Sequence, residues 1–148
     1  MGVGKRAMIA AWLKRMGIER YTVNDDLTVD VDGGVWLASK GLAEFPSYVR
    51  FGSVSRDFYC HNNPLTSLVG CPERVGGSFH CSDSHLTSLA GCPETVEGSF
   101  SCSHNELSSL DGCPKWVGSN FYCGHNVRRF TKEEVKNLCD VGEQIFVT

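Results

Sequence analysis

Several things are scarce in this 148-residue chain. Basic residues are not in excess: 14 Lys and Arg stand against 17 Asp and Glu, a formal net charge of -3. That balance excludes a broadly basic nucleic-acid binder. No apolar run approaches the roughly 18 residues that a membrane-spanning helix needs. The sequence carries no nucleophile elbow, phosphate loop, zinc helix or dinucleotide fingerprint, so no enzyme is expected and no cofactor is implied. It has no C-x-x-C pair of the kind that holds zinc, so no metal is expected either. Nor is there a bias toward disorder, because 41% of the residues are hydrophobic and 21% charged. This length suits one folded unit with a core of its own.

What is abundant is cysteine and glycine, 8 and 16 residues, and a repeat accounts for them. Phe58, Phe79, Phe100 and Phe121 recur every 21 residues, and each opens a Phe-x-Cys triplet ending in Cys60, Cys81, Cys102 or Cys123. Three units continue alike, with Leu65-Thr-Ser-Leu68, Leu86-Thr-Ser-Leu89 and Leu107-Ser-Ser-Leu110. Gly70-Cys-Pro72, Gly91-Cys-Pro93 and Gly112-Cys-Pro114 follow them, and Val75, Val96 and Val117 come next. A period of 20–29 residues is the signature of a solenoid. Phe and Cys on either side of an outward residue read as a short strand with one buried face, which a single coil cannot bury alone.

Each unit resembles a leucine-rich repeat, with Phe79 and Cys81 at the strand leucines and Leu86 at the later one. Asn63, Asn105 and Asn126 take the asparagine position, and Ser84 replaces it in one coil. A degenerate earlier unit begins at Val35-Trp-Leu37, with Lys40 at the asparagine position and Leu42 and Phe45 after it. The resemblance implies an α/β repeat: a short solenoid with a parallel strand ladder over 34–127. An N-terminal helix and hairpin cap would occupy 1–33, and a C-terminal helix-strand cap 128–148. The Phe-x-Cys and Gly-Cys-Pro variant also looks like solenoids of bacteriophage and bacterial genomes.

The caps have their own signals. Met8, Ile9, Trp12, Leu13 and Met16 recur at helical spacing, which predicts a helix from Lys5 to Met16 stopped by Gly17. Lys14-Arg15 ends the apolar run without a cleavage site, and Arg6 spoils a myristoylation motif, so a cytoplasmic, unmodified chain is expected. Leu27, Val29 and Val31 alternate with Thr28, Asp30 and Asp32 as in a strand, which explains a passing likeness to a calcium loop. Thr131 with Glu134 three residues on forms a capping box for a helix over Lys132–Leu138. Ile145-Phe-Val147 reads as a closing strand, and Arg128 stands where the last repeat should have leucine.

Cys60, Cys81, Cys102 and Cys123 form one ladder, and Cys71, Cys92 and Cys113 another. Two rows of small buried side chains are expected, with all thiols reduced. Stacked coils do bring Cα atoms within disulfide range, but ladder side chains point the same way. Asn62, Asp83, His104 and His125 form a further ladder. Its Asp83-His104-His125 part suggests a metal site only if the side chains converge, and polar loop positions give the same pattern.

The candidate binding surface is the concave sheet face, where Trp36, Tyr59, His80, Ser101 and Tyr122 stand between the buried pairs and Phe146 extends the row. Asp57, Ser78, Ser99 and Asn120 flank it on one side; His61, Ser82, Ser103 and Gly124 on the other. Exposed aromatics suit protein anchors, although they also pair along a ladder for sheet stability. The expected function is a protein-binding module that uses Trp36, Tyr59, His61, His80, Ser101 and Tyr122. With the phage-like resemblance, this becomes an inhibitor of a host defence protein. The alternative is a structural or assembly subunit that self-associates through the same face. Small-ligand binding by the aromatic stripe is a third reading. No membrane partner is expected, and nucleic acid is disfavoured, although Lys5, Arg6, Lys14 and Arg15 make a local basic patch.

Overall fold

The computed structural model describes residues 2–148. They form a parallel β-solenoid with a helix at each end. Helix α1 (Gly2–Arg15) leads to an antiparallel pair, β1 (Tyr21–Val23) and β2 (Thr28–Val31). The coils then alternate between two sheets. The first sheet takes β4 (Arg50–Val54), β6 (Arg74–Val75), β8 (Thr95–Val96), β10 (Trp116–Val117) and β12 (Asp140–Val141) after β1 and β2. The second takes β3 (Val35–Trp36), β5 (Phe58–Tyr59), β7 (Phe79–His80), β9 (Phe100–Ser101), β11 (Phe121–Tyr122) and β13 (Ile145–Phe146), six strands in chain order. Helix α2 (Lys132–Leu138) lies between the last two coils in sequence.

All pairings in the second sheet are parallel and in repeat register: Val35↔Phe58, Phe58↔Phe79, Phe79↔Phe100, Phe100↔Phe121 and Phe121↔Ile145. The four phenylalanines and their cysteines are buried, and Phe58 and Phe79 stack at 5.4 Å with an interplanar angle of 13°. Leu65, Leu68, Leu86, Leu89, Leu107 and Leu110 close the core on the return path.

The first sheet is the main departure from the sequence reading. The segment after Gly-Cys-Pro was expected to be only a turn on the opposite wall. It is a turn followed by a second parallel ladder, with Val75, Val96 and Val117 inward. One inward residue per strand gives no alternation to read within a coil, so the signal existed only across coils. The turn itself fits expectation. Gly91 has φ +91°, and a Cβ there would lie 2.6 Å from the Leu68 carbonyl oxygen, so a side chain is excluded on both counts. Ser67, Ser88 and Ser109 each accept the backbone N–H two residues on, at 3.0–3.1 Å, and fix the entry to the turn.

The asparagine ladder works as its burial demands. Asn105 Oδ1 accepts the Leu86 N–H at 3.0 Å, while its Nδ2 donates to the carbonyls of Cys81, Cys102 and Ser103. Asn63 and Asn126 repeat the pattern. Ser84 donates only to the Ser82 carbonyl, at 3.4 Å. Buried backbone groups that lack a partner are costly, which is why the amide recurs in this place.

The ends are built differently. Ile9, Trp12 and Leu13 are buried, and Trp12 meets the Phe45 and Phe51 rings edge-on at 6.4 Å. Met8, expected on the buried stripe, is 49% exposed. Gly17 (φ +77°) ends the helix in the left-handed conformation, and the Ile18 N–H returns to the Leu13 carbonyl. At the other end the capping box forms: Thr131 Oγ1 accepts the Glu134 N–H, and Glu134 Oε1 accepts the Thr131 N–H, both at 3.1 Å. Arg128 pairs with Glu134 at 2.6 Å and lies 4.5 Å from the centre of the buried Phe130 ring. Phe130 thus fills the core that Arg128 does not.

Candidate functional site

The outward residues of the second sheet stand in one column, because the parallel register carries every coil onto the next. Trp36 meets Tyr59 edge-on at 4.9 Å, and Tyr59 meets His80 at 4.7 Å. His61 lies two residues beyond Tyr59 on the same face, 5.7 Å from the Tyr59 ring and 6.1 Å from His80. Tyr122 and Phe146 stack at 4.9 Å and 8°. Ser101 separates the two ring groups and is only 8% exposed. The six sequence-predicted residues therefore share a face. Ser101 forms a recessed gap between rings rather than a contact surface of its own.

Exposure is graded along the column. Trp36 is 56% exposed, Phe146 37%, and Tyr59, His80 and Tyr122 are half-buried. Burial and the neighbouring His61 push His80 below its ordinary value. Burial, together with the Asp57 charge, pushes the Tyr59 hydroxyl up. His61 Nδ1 is buried without a hydrogen-bond partner.

The flanking residues have a second job that the sequence reading did not separate from exposure. Asp57 Oδ1 accepts the Ser78 N–H at 2.7 Å, Ser78 Oγ the Ser99 N–H at 3.0 Å and Ser99 Oγ the Asn120 N–H at 3.2 Å. Asn120 Oδ1 accepts the Gln144 N–H at 3.0 Å. Each side chain ties its coil to the next. Asp57 and Asn120 also reach the hydroxyls of Tyr59 and Tyr122, at 3.4 and 3.3 Å, and so orient two rings of the column. Short acceptor side chains at one repeat position were the available sign.

The Asp83-His104-His125 ladder has a backbone cause. Ser39, Asn62, Asp83, His104 and His125 all adopt φ between 52° and 57°, a conformation in which Asn, Asp and His are enriched. His104 and His125 stack face to face at 4.3 Å and 10°. Among the described residues no group of three His, Cys, Asp or Glu side chains could hold a metal ion.

All eight cysteines are free thiols in the structure. Burial raises Cys81, Cys92 and Cys102 well above the ordinary thiol value, and Cys113 and Cys123 to about 11. A thiol held neutral is a poor nucleophile and ligand. The cysteines act here as small core residues.

The outer face of the first sheet was missed. Ser53, Arg74, Thr95 and Trp116 stand in register there, and with Ser55 and Glu97 they line an open groove of about 470 Å³. The residue before each inward valine carried the signal.

No helix among the described residues is long and apolar enough to cross a membrane. Comparison of the chain with protein-family models, curated proteins and solved structures found no match.

Proposed function

We propose that this chain is a protein-binding module whose partner docks on the outward face of the second sheet. The observation that carries the reading is the continuous ring column from Trp36 to His80, which ends in an indole that is 56% exposed. Its backbone is already fixed by the ladder and its rings by mutual packing, so little freedom is lost on binding. Aromatic anchors of this type dominate interface energetics. The half-buried imidazole of His80 and the hydroxyls of Tyr59 and Tyr122 add directional contacts among the rings.

The likeness to leucine-rich repeats, and to solenoids of phage and bacterial genomes, supports a narrower form: a cytoplasmic inhibitor that sequesters a host defence protein. A second reading is self-association. It is favoured by the second sheet, which ends at β3 and β13 with Trp36 and Phe146 exposed at its two ends.

Site-specific photocrosslinking tests both. A benzophenone side chain at Tyr59 should give a discrete covalent adduct in host lysate, and the same probe at Glu73, on the turn, should give none. An adduct at twice the mass of the chain favours self-association, and equal labelling from both positions rejects the face.

A further inference from the structure

We infer that the Trp36 end of the ring column takes a cationic side chain, so that the partner segment it fits is rich in lysine or arginine. This inference rests on the proposed use of the face for protein binding, and it adds the chemistry of the partner.

Three observations carry it. The first is the posture of Trp36. A Cβ at Gly34 would come within 2.8 Å of Trp36 Cζ2, so the indole lies close over the backbone of a residue without a side chain. Tyr59 meets the ring edge-on at 66°, and more than half of Trp36 stays in solvent. The electron-rich faces of Trp and Tyr attract ammonium and guanidinium groups, Trp most strongly.

The second is the carboxylate beside those rings. Asp57 Oδ1 is used by the Ser78 N–H, while Oδ2 faces the Tyr59 hydroxyl. The ion pairs among the described residues join Arg20 to Asp32, His85 to Glu106 and Arg128 to Glu134, so Asp57 is left without a cation. Arg56, next in sequence, forms no ion pair with it.

The third is the sign of the whole face. The column offers Trp36, Tyr59, His80, Ser101 and Tyr122, and its flanks offer serines, Asn120, His61 and Gly124. Asp57 is the single carboxylate in this set, and no Lys or Arg belongs to it. His80, held toward its neutral form by burial, adds little competing positive charge. An acidic segment would meet the Asp57 charge and find no donor cation. A purely apolar segment would cover its charge without a counter-ion, which is costly.

The test uses a fluorescein-labelled peptide of alternating glycine and lysine, followed by anisotropy at low ionic strength. The glycine-glutamate counterpart serves as the control of opposite charge. The lysine peptide should bind and the glutamate peptide should not. Trp36→Ala and Asp57→Asn should each weaken binding about three- to fivefold, the range of an exposed cation–π or ion contact. Asn at 57 still accepts the Ser78 N–H, so the sheet stays tied. Asp111→Asn removes an exposed acid away from this face and should change nothing. Three results overturn the inference: no binding of the lysine peptide, equal binding of both peptides, or the same loss from Asp111→Asn as from Asp57→Asn. If the Tyr59 crosslink captures a protein through an acidic or apolar segment, the cation preference fails and the protein-binding function stands. If the lysine peptide binds as expected but no protein crosslinks to the face, the protein-binding function fails instead.

Discussion

The two faces of the second sheet share one backbone and one register, yet they use them differently. Inward, four coils carry the same pair, Phe and Cys, with every ring fully buried. Outward, the same strands carry Trp36, Tyr59, His80, Ser101 and Tyr122. A residue between two coils must match the volume left by both neighbours, so the inner face tolerates one solution. The outer face has no coil above it and can vary. The inner column therefore builds the molecule, and the outer column is free to serve recognition.

Substitutions should separate the two columns. The largest effect is expected at Phe100, packed between Phe79 at 6.0 Å and Phe121 at 5.0 Å. Phe100→Ala should cost about 3–5 kcal/mol in urea denaturation, because it removes a core ring held from both sides. An unchanged midpoint would mean that the inner column is not core. Next comes Asn105→Ala, which strands the Leu86 N–H and the Cys81 carbonyl and should cost about 1–3 kcal/mol. Ser84→Asn tests the same ladder in the opposite direction. An amide there can accept the Leu65 N–H, as Asn105 accepts that of Leu86, and should add about 1 kcal/mol of stability. Outer truncations should be smaller: Trp36→Ala removes one exposed ring contact and should cost no more than about 1 kcal/mol.

The smallest effect is a pH dependence of the outer face. His80 titrates below its ordinary 6.5 in the folded chain. Between that lower value and 6.5 the unfolded chain binds more protons, so stability is fully present above 6.5 and falls as the pH drops below it. The urea midpoint should decline on acidification through this window, and His80→Gln should flatten the decline. An equal slope in the variant would place the titrating group elsewhere.

Much of this division was legible in the sequence. The 21-residue period located β5, β7, β9 and β11 of the second sheet, because identical residues at fixed spacing can be satisfied only by stacking. The column of Trp36, Tyr59, His80 and Tyr122 followed from alternation alone. What the sequence hid depends on contacts between coils. Ser101 reads as an outward residue, but its small side chain sinks between larger neighbours. Asp57, Ser78, Ser99 and Asn120 read as polar surface, while each spends an oxygen on the next coil's N–H. The β6, β8 and β10 strands of the first sheet were invisible within one coil because each has a single inward valine. The histidine ladder suggested a metal until its positive φ values gave it a backbone reason.

The most direct test of outer-face recognition is quantitative affinity capture from a cell lysate with a Tyr59→Ala, His80→Ala, Tyr122→Ala variant beside the wild type. Circular dichroism on the same sample should show that the variant is folded. The expected result is a protein retained by the wild type and lost, by thirtyfold or about 2 kcal/mol per true anchor, from the folded variant. Equal retention by both would contradict a role for the outer column and move the search to the caps, beginning with the basic residues of α1.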